Sequence, residues 1–70
     1  MTKEWKTAQQ VARAWLYSHV PAHHRFAISS TYEHGEAAVI NALTGIGYSW
    51  KTSRQLYLAH KEERKNQDDL

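Results

Sequence analysis

Residues 36–58 read EAAVINALTGIGYSWKTSRQLYL, and the fold turns on this stretch. Glu36 to Leu43 are mostly good helix formers, with an acid in the first turn, where the helix dipole favours negative charge. The segment is apolar nearly all round, which predicts a helix at the centre of the fold. Gly45 is expected to end it as the C′ residue. Ile46 to Ser49 then form a connector, and Ser49 or Thr52 caps the next helix, Thr52 and Gln55 having capping-box spacing. In that helix Trp50, Leu56, Ala59 and His60 are expected to face inward. After His60 the apolar stripe ends, so the helix runs on into water to about Arg64.

Upstream, Trp5, Ala8, Val11, Ala12, Trp15, Leu16 and His19 recur at three- and four-residue steps, the signature of one helix face. Thr7 and Gln10 match a capping box, so this helix is expected to begin at Thr7, with a looser start at Thr2 as the alternative. Pro21 disfavours helical geometry at Val20, so it ends near Ser18. The stretch from Pro21 to His34 reads two ways. Phe26, Ile28, Ser30 and Tyr32 alternate as in a strand, whereas Pro21 suits a helix start and Ala22 with Phe26 is a helical pair. One strand would have no partner, so an irregular or short helical segment is favoured.

The expected architecture is therefore all-α: a small three-helix domain, with helices at Thr7–Ser18, Glu36–Thr44 and Trp50–Arg64. An irregular segment, a short helix or a strand, lies between the first two. Residues 1–66 form one domain and 67–70 a frayed polar tail. The expected core is Val11, Trp15, Leu16, Phe26, Val39, Ile40, Leu43, Ile46, Trp50 and Leu56. With Trp15 central, Trp15→Ala would cost about 3–5 kcal/mol.

Composition explains why the aromatics are assigned inward. The chain has 70 residues and no cysteine, so no disulfide can supplement a small core. Three tryptophans, four tyrosines and one phenylalanine are the large side chains available instead. The lack of cysteine fits a reducing, cytoplasmic setting. No stretch resembles a signal peptide, and the longest apolar run is broken by Asn41, Thr44, Gly45 and Gly47, so no membrane span is expected.

The formal net charge is +2. Residues 26–50 carry only Glu33 and Glu36, while the basic residues fall on either side. A weak basic balance tolerates polyanionic partners and argues against acidic mimicry of DNA. Five histidines invite a metal reading, and His19 and His23 have a suitable four-residue step. Pro21 lies between them, no cysteine is present, and no metal or other cofactor is expected. Enzymatic chemistry is not expected either. Ser29, Ser30, Thr31, Glu33 and His34 are close only in sequence, and Glu33 and Glu36 lack apolar surroundings to raise a pKa.

The remaining classes are binding modules. A helix, a glycine-bearing turn and a polar helix make the outline of a helix-turn-helix unit. Lys51, Thr52, Arg54, Gln55 and Lys61 are residue types that meet phosphates or base edges. The five residues Gly45 to Ser49 exceed the usual turn, and acids interrupt the basic tail. The eight residues from Trp5 to Ala12 resemble the first helix of small excisionase-type DNA-binding domains; the wing and second-helix pattern of that family do not follow, and no family is assigned. The expected function is a small non-enzymatic regulator of gene expression that contacts nucleic acid through its third helix. The alternative is an inhibitor or adaptor that docks on a larger machine such as RNA polymerase, using Arg13, Tyr17, Arg25, Tyr48 and Tyr57. A homodimer is compatible with either.

Overall fold

The computed structural model describes residues 7–68, with side chains to residue 65. It contains four helices: α1 (Ala8–Ser18), α2 (Ala22–Tyr32), α3 (Glu36–Ile46) and α4 (Trp50–Asp68). The all-α expectation holds and the count of three does not. No strand occurs among the described residues.

Local chemistry sets the helix boundaries. The Thr7 hydroxyl accepts from the Gln10 amide at 3.1 Å, and the Gln10 side-chain oxygen accepts from the Thr7 amide at 2.8 Å. The capping box anticipated for α1 is therefore closed in both directions. Pro21 does end α1, but it also starts α2, since its carbonyl accepts from the amides of His24 and Arg25, each at 3.0 Å. The strand alternative for this segment is thereby overturned. Ser30 and Thr31 donate their hydroxyl protons to the Ala27 carbonyl at 3.2 and 2.7 Å, which satisfies within the helix side chains that otherwise compete with it. The helix then aligns His24, Ile28, Thr31 and Tyr32 on its inner side.

The end of α3 also differs from expectation. Gly45 lies inside the helix, and Gly47, with φ of +134°, terminates it. The amides of Gly47 and Tyr48 both donate to the Leu43 carbonyl at 3.1 Å. This reversal lays Tyr48 on the core, where its hydroxyl meets His24 Nδ1 at 2.8 Å. Ser49 then caps α4 by accepting from the Thr52 amide at 3.1 Å, so the Thr52–Gln55 box is not formed.

The core consists of Val20, Ile28, Val39, Leu43 and Leu56, with Ile40 and Ala59 also buried. Leu16, Tyr17, Tyr32, Tyr48 and Tyr57 pack around it. Val39, Ile40, Leu43 and Leu56 thus occupy the interior as expected. Val11, Trp15, Phe26, Ile46 and Trp50 do not: they are 55, 62, 72, 41 and 62% exposed. Trp5 lies outside the described residues.

The reason lies in how α1 docks. It packs on α4 alone, while α2 packs on α3 and α4 touches all three other helices. The side of α1 turned to α4 carries Arg13, Leu16 and Tyr17. Arg13 pairs with Glu62, and the Tyr17 hydroxyl meets His60 Nδ1 at 3.0 Å. These polar partnerships rotate Ala8, Val11, Ala12 and Trp15 into solvent. Trp15→Ala is consequently expected to cost no more than about 0.5 kcal/mol, the scale of ordinary surface changes. A thermal melt showing a loss of about 2 kcal/mol or more would return the indole to the interior.

Candidate nucleic-acid interface

The inner side of α4 carries Ser53, Leu56, Ala59 and His60, all buried. Helical periodicity places Lys51, Arg54, Leu58, Lys61 and Lys65 on the opposite side, at alternating steps of three and four. All four cations of that row are exposed. Fourteen residues separate Lys51 from Lys65, so the row runs for about 21 Å along the helix. Lys51, Arg54 and Lys61 are therefore brought onto one surface, and Lys65 joins them.

Thr52 and Gln55 are only partly exposed. Thr52 belongs to the cap, its hydroxyl accepting from Ser49 at 3.0 Å. Gln55 shares a strip of the helix with Glu62, the partner of Arg13 on α1. Arg54 is not independent, because its Nε donates to Glu36 at the start of α3 at 3.0 Å. Both side chains of that pair are nearly half exposed, so the contact is worth little in stability and chiefly orients the guanidinium.

Three residues, Gly47, Tyr48 and Ser49, connect α3 to α4. The expected five-residue spacing is corrected by the persistence of α3 through Gly45 and Ile46. Three to four residues, often with glycine, is the usual turn of a helix-turn-helix pair.

The residues considered for protein contact are mostly engaged within the chain. Arg13 is 12% exposed in its side chain and bonded to Glu62. Tyr17 bonds to His60 and Tyr48 to His24. Tyr57 packs on Tyr32 with ring centroids 5.6 Å apart. Arg25 is exposed. The residues missed from the sequence are the aromatics that remain outside: Trp15, Phe26 and Trp50. Trp50 lines an open groove of about 420 Å³ with Glu36, Ala37, Ile40 and Asn41. A second groove of about 230 Å³ is lined by His24, Ile46, Gly47 and Tyr48.

Behind the basic row lies an aromatic cluster. The His60 ring meets Tyr32 edge-on at 4.8 Å, and the Arg64 guanidinium sits 4.9 Å above the Tyr32 ring. Burial pushes the His60 pKa below its ordinary 6.5, assisted by Arg64 and opposed by Glu63. Burial also raises the Tyr17 pKa, with Glu63 adding to the rise and Arg25 opposing it. Unfolded His60 binds a proton more readily than the folded form, so its contribution to stability is intact above pH 6.5 and falls as pH drops below that value. Melting temperatures measured from pH 7.5 to 5 are expected to fall, and His60→Gln to flatten part of that fall. An unchanged slope in the variant would remove His60 as its source.

Among the described residues no group of three histidine, aspartate or glutamate side chains is gathered as a metal site would require. No helix there is long and apolar enough to cross a membrane. Compared with protein-family models, with curated protein sequences and with solved structures, the chain finds no match.

Proposed function

We propose that this chain is a small non-enzymatic regulator of gene expression that contacts nucleic acid through the outer face of α4. The observation that carries the reading is the row of Lys51, Arg54, Lys61 and Lys65, exposed on the side of the helix opposite the core. A row about 21 Å long matches a phosphate backbone better than a point ligand. The three-residue turn supports it, because α4 packs on α3 directly after it while the cationic side stays uncovered. Non-enzymatic action is favoured by the open form of the grooves and by the tie between Glu36 and Arg54, which occupies the acid nearest the larger groove.

The test is a salt series. Four phosphate contacts give a log–log slope of about −2.8 for a single strand and about −3.6 for a duplex, so raising salt fourfold weakens binding by about 50- to 150-fold. Gel shifts or fluorescence anisotropy with mixed DNA and RNA would show this. Absence of binding at low salt, or a slope shallower than about −1, would defeat the reading.

A second reading rests on α1. Ala8, Val11, Ala12 and Trp15 form an exposed apolar strip, a feature that marks protein interfaces. Under it the chain docks on a protein of the transcription machinery, or on a second copy of itself, without touching nucleic acid. Val11→Asp with Trp15→Asp would then abolish the association without unfolding the chain, since both positions are exposed. Continued association of the double variant would dismiss α1 as the contact.

A further inference from the structure

Trp50 is the first residue of α4 and lies on the same side as Arg54, Lys61 and Lys65, which follow it by 4, 11 and 15 residues. It is 62% exposed, and no aromatic ring stacks on it among the described residues, unlike Trp15, whose ring lies 4.1 Å from His19. Beside it α3 contributes Ala37 and Ile40 as apolar lining and Asn41 and Glu36 as polar lining of the open groove. An aromatic face, a slot next to it and a line of cations leading away therefore share one surface.

We propose that this groove receives a nucleobase lifted out of its stack, and that the ligand of α4 is single-stranded nucleic acid. The proposal rests on the reading of α4 as the nucleic-acid face and names the ligand class. A duplex keeps base faces covered, so the indole and the slot would have no role on it. A single strand offers both parts, a planar base for Trp50 and successive phosphates for Arg54, Lys61 and Lys65. The polar lining adds a preference. Asn41 carries both donors and an acceptor, whereas ionised Glu36 only accepts. The carboxylate therefore favours a base that presents an exocyclic amine, such as cytosine, over thymine or uracil. Glu36 would repel a phosphate, but its pairing with Arg54 sets the guanidinium on the rim, where the strand's backbone runs. The base turns toward α3 and the phosphates toward α4.

The experiment uses the full chain carrying Trp5→Phe and Trp15→Phe, so that Trp50 is the remaining indole. Its emission is followed on titration with ten-nucleotide oligo-dC, oligo-dT and a mixed-sequence duplex at low salt. Single strands are expected to quench Trp50, oligo-dC to bind more tightly than oligo-dT, and the duplex to bind more weakly with little quenching. Trp50→Leu is expected to lower single-strand affinity by about 5- to 150-fold, the value of one base–aromatic stack, with the salt slope retained. Ala37→Phe, which fills the slot while leaving Trp50 itself unsubstituted, should do the same. Equal binding of strands and duplex, with Trp50 emission unmoved, would overturn the base groove while leaving the cationic face in place. Failure of every nucleic acid to bind would remove both.

Discussion

Leu43→Ala is expected to lower the melting temperature by about 10 °C or more and to leave part of the population unfolded near body temperature. Leu43 is 0% exposed and belongs to the cluster with Val20, Ile28, Val39 and Leu56. Truncating a fully buried leucine costs about 2–5 kcal/mol, through lost transfer energy and the cavity left behind. A domain of this size has the same order to lose, about 4–10 kcal/mol in total. Each kcal/mol moves the midpoint of such a domain by about 4–8 °C. The Leu43 carbonyl is untouched by the substitution, so the Gly47 and Tyr48 bonds that end α3 should persist. The loss measures packing and not capping. A shift below about 4 °C in a calorimetric or circular-dichroism melt would mean that the cluster is not the true interior.

The second large effect concerns binding. Reversing Lys51, Lys61 and Lys65 to glutamate leaves the buried side of α4 intact, because all three are exposed opposite it. Arg54 is spared so that its pair with Glu36, which orients the guanidinium, is undisturbed. Each reversal removes a phosphate contact and adds a repulsion, so affinity at low salt is expected to fall by more than about 100-fold and the salt slope to flatten toward about −1. Thermal stability should change by about 1 kcal/mol or less, as for other surface substitutions. Retained affinity in a folded variant would exclude the outer face of α4. Loss of the fold itself would show that the row is structural.

Much of this architecture was legible from the chain, and the exceptions have a common cause. The Thr7–Gln10 box is purely local, so residue types alone define it. Val39, Ile40 and Leu43 were readable because their helix is apolar nearly all round, and any docking of it buries them. α1 carries two candidate faces, and hydrophobicity favours the one with Val11 and Trp15. The other prevails because Glu62 and His60, some fifty residues away, offer partners to Arg13 and Tyr17. Periodicity ranks side chains by type and is blind to such long-range partners. α2 was obscured for a related reason, since Ser30 and Thr31 look unsuited to a helix until their hydroxyls find the Ala27 carbonyl. For the site, the cations of α4 could be read directly. The groove at Trp50 could not, because it exists only once α3 lies alongside.

That α1 meets the rest of the molecule through α4 alone sets the order in which the native state opens. Its amides are expected to exchange with deuterium through a sub-global event, well before those of α3, because detaching α1 sacrifices one interface and leaves the α2–α3–α4 unit closed. Limited proteolysis should accordingly cut first within α1, on the N-terminal side of the buried Val20, and leave a longer, still protected remainder.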